Sequence, residues 1–190
     1  MHNEIPGLIV IDDFLPLPYF TRTHAMTSEY YDWEGPDGQV YKRVSLLRVP
    51  GVMEALEKTV GPIELLGMGY RLNYAGEPPN QSIHSDLGWG SHALVLYLNA
   101  GPSGTAFWRH IETDTTRITV GQTELLEQIK DDWEDSTKWQ IRTEVEMKFN
   151  RAIIYDSSLY HSRYPFEAFG NTPENGRLIA VAFFNMKELV

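Results

Sequence analysis

Short apolar runs separated by turn residues fill the chain from residue 69 almost to its end, and no other feature limits the fold as strongly. Each run suits one strand, and the Gly, Pro, Asn and Asp residues between them suit turns, so the pattern favours an antiparallel sandwich or barrel. The predicted strands are residues 69–74, 82–87, 92–99, 105–110, 151–155 and 177–184. We therefore predict a mainly β fold.

The first 65 residues predict a strand and two helices that support the β core. Residues 5–13 form a short apolar strand, and residues 19–31 have the length and composition of a helix. A second helix is predicted over 51–60, where apolar residues recur at intervals of four. The strand pattern weakens over 109–148, and 123–129 predict a helix there, so we expect an insertion or lid over one end of the barrel.

Length and composition predict a single domain without thiol chemistry. At about 150 residues per domain, a chain of 190 residues makes one domain. We expect residues 1–65 to support a β core over 66–186. The chain has no cysteine, which excludes disulfides, iron–sulfur clusters, thiolate zinc sites and cysteine nucleophiles. Any metal must therefore bind to His, Asp or Glu.

The net charge of −10 disfavours nucleic acid as a partner, because nucleic-acid binding usually starts from a basic face. We interpret the local basic residues Lys42, Arg43 and Arg48 as a solvated strand face. The sequence has no apolar run long enough for a membrane helix, and residues 1–11 lack the pattern of a secretory signal. We expect a cytoplasmic protein that does not bind membranes.

Three His-x-acid pairs are candidates for metal binding. They are His2-Asn3-Glu4, His84-Ser85-Asp86 and His110-Ile111-Glu112. About 0.8 such pairs are expected by chance, so the pattern alone is weak. The first pair lies at a terminus that is expected to fray. The second lies on a predicted strand, where residues two apart point to the same face, and its alternative role is a buried His–Asp hydrogen bond.

A distal histidine and an arginine follow in the later strands. His161 comes after the apolar strand 151–155, and two histidines with one carboxylate would leave three positions open on a six-coordinate ion. That arrangement suits ferrous iron with an organic co-substrate and dioxygen. Arg177 opens the last strand and is either a surface residue at a strand end or an anchor for a carboxylate.

Together, these segments resemble the iron(II)- and 2-oxoglutarate-dependent oxygenases, and most closely their prolyl 4-hydroxylase-like branch. The resemblance covers about residues 66–186, and the opening segment Ile11-Asp12-Asp13-Phe14-Leu15 also resembles that branch. It is carried by Tyr70-Arg71-Leu72-Asn73-Tyr74, His84-Ser85-Asp86, Tyr97-Leu98-Asn99, Gly104-Thr105-Ala106-Phe107, Tyr160-His161 and Arg177.

The resemblance implies a double-stranded β-helix, a cupin-like jelly roll with N-terminal helices packed on one sheet. It implies that His84, Asp86 and His161 are the iron ligands and catalytic centre. Arg177 would bind the distal carboxylate of 2-oxoglutarate, and Tyr97 and Tyr74 would line the same pocket. The implied reaction uses iron(II), 2-oxoglutarate and dioxygen to hydroxylate a substrate, with succinate and carbon dioxide as products.

Two departures from the family pattern keep an alternative open. The interval from His161 to Arg177 is longer than is usual in the family, so Arg163 stays a rival for the carboxylate anchor. Ser103-Gly104 stands where the family usually has paired glycines. The rival function is a non-catalytic, cupin-like ligand-binding jelly roll, which would have no need of Arg177 and Tyr97 as a dicarboxylate anchor.

Residues near the predicted mouth of the barrel have open roles. His92 and His110 are either ordinary strand-end residues or groups that contact an iron ligand or substrate, and Trp89 and Trp108 either pack or stack on substrate. We favour a peptide or amino-acid side chain as substrate, with a small metabolite as the alternative. The acids of the insertion favour a neutral or basic substrate. These acids include Asp131, Asp132, Glu134 and Asp135.

Overall fold

The structure is a computed structural model that describes residues 5–36, 38–77 and 83–187. The strands are β1 (Leu8–Ile11), β2 (Tyr31–Glu34), β3 (Val40–Leu46), β4 (Ile63–Asn73), β5 (His92–Tyr97), β6 (Gly104–His110), β7 (Trp139–Glu146), β8 (Ala152–Asp156), β9 (His161–Tyr164) and β10 (Arg177–Met186). The helices are α1 (Pro18–Thr27), α2 (Val52–Val60) and α3 (Thr123–Ile129), with a 3₁₀ turn over Ser136–Lys138. No helix among these described residues is long and apolar enough to cross a membrane.

The strands form two antiparallel sheets. Seven strands pair in the order β1-β8-β5-β10-β4-β3-β2, and three pair in the order β7-β6-β9. Strands that are distant in sequence lie side by side: β10, the last strand, lies between β5 and β4. This is the predicted mainly β jelly roll, a double-stranded β-helix with helices packed on one sheet.

Side-chain alternation gives the larger sheet two different faces. On β5, Leu94 and Leu96 pack into an apolar core with residues of α1 and α2 such as Ala25 and Leu56. Their neighbours Val95 and Tyr97 point the other way, into a second core that faces the smaller sheet. Because successive strand residues point to opposite sides, one strand contributes to both cores.

A third apolar core lies between the smaller sheet and the insertion. Trp108 of β6 points outward and packs with Ile118 and Ile129 of the insertion. The predicted insertion over 109–148 includes β7, so the longest part of it outside the strands is residues 111–138. This segment therefore covers the outer face of the smaller sheet.

The helix predicted over 123–129 is confirmed, and the one predicted over 51–60 begins at Val52. The helix predicted over 19–31 ends earlier, at Thr27, because the chain turns there into β2, which pairs with β3. The predicted strand over 82–87 is wrong in its described part. Within it, a single bridge joins His84 to His161 and no ladder follows. The strands β2, β7 and β9 were not predicted from the sequence, and β3 was expected only through the solvated strand face assigned to Lys42, Arg43 and Arg48, of which Arg48 lies beyond the strand.

Candidate metal centre

The backbone holds His84 and His161 side by side. The amide of His84 donates to the carbonyl of His161 at 2.9 Å, and the amide of His161 donates back to His84 at 2.8 Å. Asp86 is tied in the same way, because its amide donates to the carbonyl of Ser157 at 2.8 Å. These bonds join the loop before β5 to the segment between β8 and β9.

The side chains of His84, Asp86 and His161, the His-Asp-His group, converge. Nε2 of His84 lies 3.8 Å from Oδ1 of Asp86, and Nε2 of His161 lies 3.3 Å from Oδ2 of the same carboxylate. One potential ligand atom from each residue lies within 4.8 Å of the others. Among the described residues, no other group of three His, Asp or Glu side chains meets in this way.

His161 is oriented by its other ring nitrogen. Nδ1 lies 2.9 Å from the carbonyl oxygen of Leu159, an acceptor, so Nδ1 carries the proton and donates. Nε2 is then left with a lone pair that faces Asp86. Burial lowers the pKa of His161, but the Asp86 carboxylate outweighs burial and raises this pKa above its ordinary value.

Asp86 is buried, and Tyr155 holds its carboxylate. The hydroxyl of Tyr155 donates to Oδ2 of Asp86 at 2.9 Å and lies 3.1 Å from Nε2 of His161. Burial raises the pKa of Asp86, but His161, His84 and this hydroxyl together lower it to about 2. Asp86 is therefore ionised at neutral pH, as a metal ligand must be.

The donor set fits a divalent metal ion. Two imidazole nitrogens and one carboxylate oxygen are ligands that iron(II) accepts, and three ligands on one side leave positions for other molecules. Atoms that bind one ion at about 2.1 Å lie at most about 4.2 Å apart; each imidazole lies within that distance of one Asp86 oxygen, and the three ligand atoms together lie within 4.8 Å, so a small inward shift would bring them around one ion. His84, Asp86 and His161 could therefore hold such an ion together.

Arg177 and the His-Asp-His group line one cavity of about 120 Å³. Arg177 is only 5% exposed and lies on the same face of β10 as Ile179 and Val181, as the alternation of that strand predicts. Its Nε is buried and has no acceptor among the described residues. Burial lowers the pKa of Arg177 from its ordinary value.

Two more arginines line this cavity, Arg163 of β9 and Arg71 of β4. Nε of Arg163 donates to the carbonyl of Phe166 at 2.7 Å, and its Nη2 donates to the same oxygen. Arg71 lies opposite Ile179 in the pairing of β4 with β10. Burial and the neighbouring guanidinium groups lower the pKa of Arg163 and of Arg71 to about 10.

The two tyrosines that the family resemblance singles out lie in different places. The buried hydroxyl of Tyr97 lies 2.8 Å from Oγ1 of Thr105, and the Arg177 guanidinium carbon is 6.0 Å from the Tyr97 ring centre. Tyr97 is thus next to the cavity. Tyr74 instead packs against the helix-covered core, with the Arg43 guanidinium 4.5 Å above its ring. Asn73 faces the cavity. Because successive residues of an extended chain point to opposite sides, Tyr74, the next residue, points away from the cavity.

The remaining candidates are also placed. His110 is buried and bonds to Asp132 and Thr113, each at 2.9 Å, so it fastens the insertion to β6. His92 stacks on Phe184, with ring centres 5.6 Å apart. Trp108 is buried and donates to Ser162 at 2.9 Å, which is a packing role. The pair His2-Asn3-Glu4 lies outside the described residues.

Tyr155 and Arg71 were missed by the sequence reasoning. The sequence places Tyr155 only on an apolar strand, although Tyr155 lies two residues after Ile153, which faces the inner core. Arg71 enters the sequence argument only through the family resemblance. The feature that could have identified Arg71 as a site residue is its charged side chain inside a strand whose other residues are mostly apolar.

A larger cavity of about 510 Å³ lies next to the His-Asp-His group. His84 and Ser85 line it on one side, and residues of the insertion line it on the other. Asp131 and Glu134, two of the acids predicted to influence substrate choice, line it. The third acid, Asp132, bonds to His110 and the fourth, Asp135, accepts from the amide of Thr137 at 3.0 Å. The insertion therefore forms one wall beside the candidate metal centre.

Solved structures with this fold include iron and 2-oxoglutarate enzymes. SnoN, a non-heme alpha-ketoglutarate-dependent epimerase from nogalamycin biosynthesis, matches with a TM-score of 0.60 and 13% identity over 94% of this chain and 76% of that chain. HygX from Streptomyces hygroscopicus with iron bound has a TM-score of 0.51 and 10% identity, with coverages of 94% and 81%. A viral collagen prolyl hydroxylase from Paramecium bursaria Chlorella virus-1 has a TM-score of 0.50 and 12% identity, with coverages of 99% and 97%.

At these identities the likeness shows a shared fold. No curated protein matches the sequence. A family model matches residues 84–184, a span that begins at the first histidine of the candidate metal centre and covers more than half of the chain. The chain belongs to the family described as DUF6445, a family of unknown function.

Proposed function

We propose that this protein is an iron(II)- and 2-oxoglutarate-dependent dioxygenase that hydroxylates its substrate. The observation that carries the proposal is one cavity lined by the His-Asp-His group and by a buried arginine, Arg177. The fold shared with SnoN and HygX supports it, since SnoN is an alpha-ketoglutarate-dependent enzyme and the HygX structure holds iron. A peptide or amino-acid side chain is the favoured substrate class, as the sequence resemblance implies.

His84, Asp86 and His161 would hold the iron. When bound, iron(II) would allow 2-oxoglutarate and dioxygen to react: dioxygen is the oxidant, one of its oxygen atoms enters the substrate as a hydroxyl group, and the other enters succinate as carbon dioxide is lost. The protein fixes the three ligands beforehand: backbone bonds hold His84 against His161, Leu159 sets the His161 tautomer, and Tyr155 steadies the Asp86 carboxylate. Such support of ligands keeps a metal site in one geometry.

Arg177 would bind the distal carboxylate of 2-oxoglutarate. A buried guanidinium without an anion is costly, and a planar carboxylate can accept two parallel hydrogen bonds from it. Arg163 fits this role less well, because two of its nitrogens already donate to the Phe166 carbonyl. Tyr97 would flank the co-substrate beside Arg177.

The test is the spectrum of the protein with iron(II) and 2-oxoglutarate under anaerobic conditions. We expect a weak visible charge-transfer band that needs both additions, and succinate formation when oxygen is admitted. Circular dichroism would establish that the sample is folded. Absence of the band in folded protein that binds iron would contradict the proposal and favour a ligand-binding jelly roll.

A further inference from the structure

Arg71 is a partly buried cation that the proposed binding of iron and 2-oxoglutarate does not use. It lines the same cavity as the His-Asp-His group, and its guanidinium carbon lies 4.9 Å from the centre of the Tyr41 ring. Among the described residues, no acceptor lies within hydrogen-bonding distance of its buried Nε. Among the described carboxylates, only that of Asp86 favours the charged form of Arg71 appreciably, as the Tyr41 phenol also does, and Asp86 would be an iron ligand.

A count of charges shows that the cavity would still be positive with both ligands bound. Arg71, Arg163 and Arg177 contribute three positive charges, and iron(II) contributes two. Asp86 supplies one negative charge and 2-oxoglutarate supplies two. Two positive charges therefore remain in a cavity whose lining includes the buried Arg177, and a charge that is withdrawn from water without a partner is costly.

Aromatic side chains lead from Arg71 to the surface. Tyr41 and Phe183 line the cavity, and Trp33 and Trp89 continue from them outward. Ring centres are 5.7 Å apart for Trp33 and Tyr41, 5.9 Å for Trp33 and Trp89, and 5.2 Å for Trp89 and Phe183. All four rings are partly exposed. We call these four residues the aromatic wall; its faces offer stacking area to a flat molecule.

The co-substrate itself does not account for Arg71. In the proposed function, one carboxylate of 2-oxoglutarate faces Arg177 and the other end faces the iron, so both of its anionic groups are used. Arg71 lies on β4, the strand next to β10. It comes two residues before Asn73, which pairs with Arg177, and it contacts the aromatic wall at Tyr41. The anion that complements Arg71 must then come from another molecule.

We infer that the substrate is a small organic carboxylate with a flat apolar body, whose carboxylate binds Arg71 and whose body lies against the aromatic wall. The inference rests on the proposed function and narrows it: within a peptide only Asp and Glu offer a side-chain carboxylate and neither has a flat apolar body, whereas a free aromatic amino acid or another aromatic acid has both. Arg71 and the aromatic wall are thus specificity-determining.

The test compares acids with their neutral amides. The probes are 1-naphthoate with 1-naphthamide and indole-3-acetate with indole-3-acetamide, added anaerobically to protein that carries iron(II) and 2-oxoglutarate. Calorimetry should show each acid binding at least about tenfold more tightly than its amide, the factor expected for one charge-assisted hydrogen bond. Arg71→Gln should bring that ratio close to one, and Trp33→Ala should weaken acid and amide alike.

Two controls keep the outcomes separate. Arg142 is an exposed arginine on β7, so Arg142→Gln should leave all affinities unchanged. The second control is the affinity of Arg71→Gln for 2-oxoglutarate, which should stay within about threefold of the wild-type affinity. Losing a contact to the co-substrate would change it by more than that. A loss of 2-oxoglutarate binding in that variant would place Arg71 in the co-substrate site and overturn the inference.

An amide preference in wild type, or an acid preference that survives in Arg71→Gln, would also overturn the inference. The first result would instead support the neutral or basic substrate predicted from the acids of the insertion. Failure of the proposed function has a different signature, because wild-type protein would then not bind 2-oxoglutarate at all. The binding of 2-oxoglutarate to wild type is therefore measured first, and the acid-to-amide ratio then tests the inference.

Discussion

The two faces of the larger sheet share their strands but differ in chemistry. The face toward the helices is apolar, with Leu94 and Leu96 of β5 and Ala180 of β10. The face toward the smaller sheet includes Arg71 and Arg177, next to the candidate metal centre. The first face stabilises the fold through apolar burial. The second face keeps charged groups whose burial costs stability unless a ligand neutralises them, so this face is suited to binding.

The largest expected effect is at the metal centre. Replacing His161 with Ala removes one of three proposed iron ligands, so it should abolish succinate formation and lower iron affinity by at least about a hundredfold. The matched control is His24→Ala on the helix-covered side, where His24 bonds to the Tyr70 hydroxyl at 2.9 Å. Iron titration that gives His161→Ala the wild-type affinity would remove His161 from the ligand set.

The helix-covered face should give the opposite result. Leu96 is fully buried, so Leu96→Ala should lower the free energy of unfolding by about 2 to 5 kcal/mol, through lost apolar burial and the cavity that remains. The folded fraction should bind 2-oxoglutarate as wild type does. Urea denaturation with calorimetry measures both quantities, and a changed co-substrate affinity at full folding would show that the two faces are not independent.

The third effect is on the co-substrate. Losing a charged hydrogen bond costs about 1.5 to 3 kcal/mol, so Arg177→Ala should raise the apparent constant for 2-oxoglutarate by roughly ten- to a hundredfold. Arg177→Lys should bind it less well than wild type, because lysine lacks the planar fork. Arg163→Ala should change it little, and iron affinity should be unaffected in all three. If Arg163→Ala had the large effect, the anchor would be Arg163.

The smallest expected effect concerns residues 111–138, which border the larger cavity. We expect this segment to act as a lid, so limited proteolysis there should slow by a few-fold when iron, 2-oxoglutarate and substrate are added together. Cleavage at other exposed sites serves as the internal reference. Equal cleavage rates in the presence and absence of the three ligands would argue against closure.

The sequence predicted the β texture, three helices and the members of the His-Asp-His group, because short apolar runs, helix periodicity and a His-x-Asp pair are local patterns. It did not predict β7 or β9, whose polar, partly exposed sequences resemble loops until the smaller sheet pairs them with β6. It also assigned residues 82–87 to a strand, whereas one bridge to His161 holds His84 in place.

The kinds of ligand that are available, and the neighbouring side chains that share a face, follow from the sequence, because the two-residue period of a strand is a local property. Which distant residues meet depends on the tertiary structure. The pairing of β10 with β4 brings Arg71 beside Arg177. Register between distant strands depends on how whole faces pack, and shifting it by one residue would reverse every side chain.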